Sequence, residues 1–175
     1  MMRRASALLS NRAGAAAAEM ALVAPLLIII LFGSVETGNY FLNEHAVAKQ
    51  VRDGARFASR LPITDYTCPG TVDKTLAETP TRNVTETGSA DKTGTGRFPS
   101  SFWNKKCAGA PAGLDAVSVT LRCVPKANYS GVWATLGTDI PVVTVSADVS
   151  YTTLLGYSPA GLCMHATSEA PVSGL

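Results

Sequence analysis

Charge is scarce in this chain, and its scarcity excludes several functions. Only 16% of the 175 residues are charged and the formal net charge is +2. Three of the positive charges, Arg3, Arg4 and Arg12, fall in the first fourteen residues, where there is no acid. The remainder is close to neutral, so a phosphate backbone finds no electrostatic footprint, and nucleic acid is not an expected partner. Motifs of chemistry are missing too. There is no phosphate loop, no H-E-x-x-H and no C-x-x-C. The two histidines, His45 and His165, lie far apart in sequence, and nothing places both beside a nucleophile.

Two short matches do not change that reading. Ser89-Ala90-Asp91-Lys92 and Lys92-Thr93-Gly94 match signatures of penicillin-recognising enzymes, but they overlap and share one lysine. That chemistry needs the two motifs on separate elements facing a cleft. Asn83-Val84-Thr85 and Asn128-Tyr129-Ser130 have the glycosylation spacing and are read as plain loop residues. The expectation is a protein that is not an enzyme, with no catalytic residue, no cofactor and no metal.

What the chain does have is one long apolar run. Met20 to Val35 holds sixteen uncharged residues, and extending back to Ala15 gives twenty-one with a single acid, Glu19. As a helix, that length spans roughly 31 Å, the thickness of a bilayer core. A cleaved secretory signal would end in small residues at a cut after the run, and Leu31-Phe32-Gly33-Ser34-Val35-Glu36 offers no clean example. Leu26 to Phe32 is apolar on every side, which suits lipid better than a soluble core. The reading is a retained transmembrane helix. Basic residues before it, and none after it until Lys49, put the N-terminus in the cytoplasm.

All four cysteines, Cys68, Cys107, Cys123 and Cys163, follow the apolar run. An even number on the exported side reads as two disulfides formed in an oxidising compartment. Of the three possible pairings, Cys123 with Cys163 is expected because both fall on candidate strands. Cys68 would then pair with Cys107, closing the polar stretch between them and contributing roughly 3–4 kcal/mol.

Beyond the membrane, Tyr40, Val47, Val51, Ala55 and Ala58 recur near helical spacing, so the helix continues to about Arg60. Asp53-Gly54 interrupts the pattern, and Leu61-Pro62 ends it. Ala116 to Val124 alternates, with Val117, Val119, Leu121 and Cys123 on one face. Val143, Val145, Ala147, Val149 and Tyr151 form a second such face, and Leu162 to Ala170 reads as a third strand. The fold class is therefore α+β: a long N-terminal helix, membrane-spanning and then amphipathic, packed on a small antiparallel sheet. The organisation expected is a basic leader over 1–14, a transmembrane helix over 15–36 and its amphipathic extension over 37–62. A loop-rich, disulfide-tethered excursion over 63–115 follows, then a β region over 116–175. Phe98, Phe102 and Trp103 in the excursion are placed to tuck onto the sheet.

The most specific pattern lies where the apolar run begins: Gly14, four alanines, Glu19 and Met20. A glutamate at the centre of a membrane helix costs roughly 2.5–3.5 kcal/mol, less near an interface, so its presence calls for a reason. The arrangement resembles the processing site of type IV pilins and pseudopilins. There a prepilin peptidase cuts after the glycine, here between Gly14 and Ala15, leaving glutamate as the fifth mature residue. Glu19 to Leu27, Phe32 to Gly38 and Arg52 to Ala58 together are similar to the N-terminal region of TadE-like proteins, minor pilins or pseudopilins of the tight-adherence (Flp pilus) assembly system. The resemblance covers about residues 12 to 60. Met20 stands where an aromatic is usual, and Thr37 where Phe is common.

The resemblance implies a structural role. Glu19 would pair with the N-terminal amine of a neighbouring subunit, and Glu36 is a second candidate subunit contact. The implied partners are other pilins or pseudopilins, the prepilin peptidase, the inner-membrane assembly machinery and membrane lipid. The implied location is the inner membrane, with the C-terminal domain in the periplasm or carried into an extracellular pilus. The alternative is a membrane-anchored periplasmic binding or adhesion module that never polymerises.

Overall fold

The computed structural model describes residues 12–104, 107, 115–128, 139–154, 156 and 162–174. Most of the basic leader, with Arg3 and Arg4, lies outside the described residues, as do Tyr129 and Ser130 of the second sequon. One helix, α1, runs Arg12–Ala58. Ala-rich and Leu-rich stretches favour it, and it passes through Pro25 and Asp53-Gly54 without ending. The chain divides into two compact units, one up to Tyr40 and one from Phe41 onward.

In the second unit, α1 leads to a 3-10 turn at Ile63–Asp65, then β1 at Tyr66–Thr67 and β2 at Thr71–Val72. A π-helical turn at Lys74–Glu78 runs into α2, Thr79–Thr87, and α3 follows at Ser100–Trp103. Three longer strands complete it: β3 at Val117–Val124, β4 at Ile140–Ser150 and β5 at Cys163–Pro171. They form an antiparallel sheet in the order β3-β4-β5. The α+β class holds, with the helix packed on small antiparallel sheets.

The core sits where two periodicities meet. On α1, Val47, Val51, Ala55 and Ala58 are buried at a spacing of three to four residues. On β4, Val143, Val145, Ala147 and Val149 are buried at a spacing of two, joined by Val117 of β3 and Met164 of β5. The register aligns these rows, pairing Val117 with Ala147 and Ala147 with Ala166. The other sheet face is polar. Ser118 and Ser146 hydroxyls lie 2.7 Å apart across β3 and β4. Arg122 pairs with Glu169 at 3.0 Å, in an exposed bridge of small energetic weight.

The end of α1 is tied down from both directions. The Tyr66 hydroxyl donates to the Ala58 carbonyl at 2.8 Å, meeting an acceptor that the helix leaves orphaned. Burial, with Asp65 beside it, pushes the Tyr66 phenol well above its ordinary range, so it stays a donor. The C-terminal tail closes the same corner. Ser173 N–H donates to the Ser59 carbonyl at 2.8 Å, and Ile63 N–H to the Gly174 carbonyl at 3.2 Å.

The disulfides correct the pairing expected from sequence. They join Cys68 to Cys123 and Cys107 to Cys163, with Cα atoms 5.8 and 5.7 Å apart. In the sheet register, Cys123 lies opposite Pro141 and Cys163 opposite Ser150. Those positions are at opposite ends of β4, about 30 Å apart along the strand, far beyond the reach of one bridge. Topology therefore forbids Cys123 with Cys163. One bridge instead fastens the β1-β2 hairpin to the end of β3, and the other fastens the stretch after α3 to the start of β5.

The stretch between helix and sheet contains α2, which hydrophobic periodicity does not reveal. Asp73 caps the π-helical turn that leads into it, accepting from Thr75 N–H at 2.8 Å and Leu76 N–H at 2.7 Å. Gly88 stops it at φ 79°, donating to the Val84 carbonyl at 2.8 Å. Its buried residues are Thr81 and Thr85. Thr85 sits so close to α1 that a Cβ on Gly54 would collide with its hydroxyl. Gly54 is thus a close-approach residue within α1. Asn83 is also on α2, and its amide donates to the Ala90 carbonyl at 2.8 Å. It is a helix residue, in place of the loop residue expected. Around α3 the aromatics gather: Phe98 stacks on Phe102 at 4.0 Å, both edge-on to the buried Trp103.

Candidate anchor and processing site

The candidate site residues of the first unit, Gly14, Ala15, Glu19, Met20 and Glu36, lie on α1. Gly14 to Val35 is exposed almost throughout, with Leu22 81% and Ile29 69% accessible. No part of its most apolar window is buried. It is long and apolar enough to cross a bilayer. An all-round apolar surface of this size is not stable against water and calls for an apolar surrounding. Its few polar groups are consistent with that. The Ser34 hydroxyl donates to the Leu31 carbonyl at 2.9 Å, and the Thr37 hydroxyl to the Gly33 carbonyl at 2.8 Å. Pro25 has no N–H, so the Ala21 carbonyl loses its usual partner.

Gly14, Ala15, Glu19 and Met20 are all exposed, and a Cβ on Gly14 would meet nothing. The Gly14–Ala15 peptide lies within α1. Glu19 lies one turn beyond Ala15, a spacing of four residues. Glu36 ends the apolar run. It is about 25 Å along the helix from Glu19 and about 100° around it, so the two carboxylates do not form one cluster.

Clefts among the described residues of the second unit include two with charged linings. One, of about 290 Å³, lies between α1, α2 and residues 95–97, and is lined by Lys49, Gln50, Asp53, Thr87 and Arg97 among others. The other, of about 250 Å³, contains Arg82 between two carboxylates: Glu78 at 2.8 Å and Asp115. That arginine fastens α2 to the start of β3. His165 pairs with Asp148 on the exposed sheet face, and His45 is exposed on α1. The two histidines remain on separate elements. Ser89 and Thr93 hydroxyls both donate to Asp91, forming a turn after α2. These hydrogen bonds, Ser89's first, hold the Asp91 carboxyl down at about 2.

One feature had no counterpart among the expected site residues. Lys49, Arg52, Asp53 and Arg56 form an exposed charged row on α1, and their spacing of three and four is legible in the sequence.

Residues 14–56, about a quarter of the chain, match the family model described as TadE-like protein. No curated protein matches. No solved structure matches either.

Proposed function

We propose that this chain, TadE-like through residues 14–56, is a structural minor pilin or pseudopilin that takes part in assembling a tight-adherence (Flp) pilus. The observation that carries the reading is the apolar half of α1, uncovered by protein, with Gly14 and Glu19 at its start. Before assembly the helix anchors the chain in the inner membrane, N-terminus inward and the disulfide-stapled domain in the periplasm. Prepilin peptidase cuts between Gly14 and Ala15. The new amine is positive and the Glu19 carboxylate negative, and each is costly alone in a low-dielectric layer. Pairing the amine of one subunit with Glu19 of its neighbour offsets both costs and sets the axial register.

Insertion and assembly separate at Glu19. Insertion needs only apolarity, so Glu19→Gln stays in the membrane. Assembly needs the charge, so the same variant, cleaved normally, fails to support wild-type pilus numbers and surface adherence. Cleavage is read in the same samples, because a processing defect gives the same phenotype by another route. A processed Gln variant with wild-type piliation overturns the charge pairing and favours an anchored module that does not polymerise.

A further inference from the structure

The cleft between α1, α2 and residues 95–97 gathers charged groups from separate parts of the chain. Lys49, Asp53 and Arg97 line it, and none of the three makes an ion pair with another described residue. Gln50 lines it too. It precedes Asp53 by three residues and Lys49 by four, spacings that share one helix face. The Gln50 Oε1 is buried and accepts no hydrogen bond from a described residue. A buried acceptor left so is costly unless a ligand supplies the donor.

The walls are set by the fold itself. Gly54 allows α1 to approach Thr85 of α2 closely. Gly94 and Gly96 let the following segment press on the end of α2, where a Cβ would collide with the Thr87 and Glu86 carbonyl oxygens. Arg97 comes next, its guanidinium 5.9 Å from the centre of the Phe98 ring.

We infer that this cleft is a binding site for a small zwitterion, an acidic α-amino acid. Its two positive groups and one negative group are the inverse of that ligand's two carboxylates and one ammonium. An anion without an ammonium leaves Asp53 beside it as a repelling charge, and a plain cation is repelled by Lys49 and Arg97. The ammonium donates to the Asp53 carboxylate and to Gln50 Oε1. Thr87 and Gly88, at the end of α2, line the same cleft, and the partial negative charge of a helix C-terminus favours a cation there. The two carboxylates accept from Lys49 and Arg97. Ala46 and Val84 give the carbon chain an apolar wall. At about 290 Å³ the cleft is at the small end of ligand sites, which begin at roughly 300 Å³, so it takes one small molecule. The site belongs to the second unit and does not depend on the proposed function.

Titration calorimetry of the full chain in mild detergent at neutral pH tests the site, with free glutamate as the probe. One molecule binds per chain, with a dissociation constant on the order of 0.1–1 mM, since Lys49, Asp53 and Arg97 are exposed. Glutarate, which lacks the ammonium, and glutamine, which lacks the second carboxylate, bind about tenfold more weakly. Asp53→Asn separates this site from a general attraction for anions. It weakens glutamate about tenfold but binds glutarate as tightly as wild type or more so, because the repelling charge is gone. Retained glutarate binding also shows that the variant's cleft is intact. Arg97→Gln weakens both ligands. A wild-type chain that does not bind glutamate overturns the proposal. So does phosphate, glutarate or glutamine bound as tightly as glutamate, or an Asp53→Asn variant that loses glutamate and glutarate equally.

Discussion

The two halves of α1 share one backbone geometry and answer to opposite rules. From Met20 to Val35 the side chains are apolar on nearly all sides and open, as Leu22 and Ile29 show. From Ala46 the apolar residues narrow to one stripe, fully covered at Val47, Val51 and Ala58, and the opposite side is charged. The exposed run from Gly14 to Val35 depends on its medium. The second half is held by a sheet and by hydrogen bonds at its end. A helix is thus specified in one half by composition and in the other by position, and substitutions of one kind act differently in each.

The largest contrast is in truncation. Val51→Ala removes fully buried methyl groups and leaves a cavity, so the domain loses about 2–3 kcal/mol, measured by denaturant unfolding of the detergent-extracted chain. Ile29→Ala removes more carbon from a position 69% exposed and leaves domain stability within about 0.5 kcal/mol of wild type. Equal losses at the two sites would erase the distinction between the halves.

Glycine sharpens the same contrast. A Cβ on Gly33 meets nothing, whereas one on Gly54 collides with Thr85. Gly54→Ala is therefore expected to cost about 1–3 kcal/mol by forcing α1 and α2 apart, in spite of alanine's better helix propensity. Gly33→Ala leaves the domain unchanged. The check is the shift in unfolding midpoint for each variant against wild type.

The smallest effect is a local one in pH. Asp91 is lowered from 3.8 to about 2 by the Ser89 and Thr93 hydrogen bonds. A carboxylate with a depressed folded pKa stabilises its turn above the unfolded value, and that contribution is lost as pH falls from about 4 through about 2. Amide exchange at Ser89 to Thr93 should rise selectively over that interval, and Asp91→Asn should abolish the pH dependence. Because the group is fully exposed, global stability is not expected to follow it.

These contrasts also explain what could be read from the sequence. The apolar run, the valine stripe and the alternating strands were legible because hydrophobic side chains repeat at 3.6 or at 2, and packing uses those periods. The α2 helix was not, since its buried residues are Thr81 and Thr85, which carry no hydrophobic signal. Asp73, which caps the turn before it, and Gly88 at its stop were the available cues. Gly54 read as an interruption because a close contact with another element cannot be seen along the chain. Disulfide pairing was invisible for a related reason. Strand order decides which sulfurs meet, and β4 between β3 and β5 keeps Cys123 from Cys163. For the anchor, Gly14 and Glu19 were legible as a motif, and the structure adds that both are exposed.

The claim on which the account turns is that the first half of α1 is an anchor made to be cut at its cytoplasmic end. Intact mass and N-terminal sequencing of the chain extracted from membranes test it directly. A mature start at Ala15, with both disulfides present, is the predicted result. A start at Met1 or Met2, or a cut near Ser34, would contradict it.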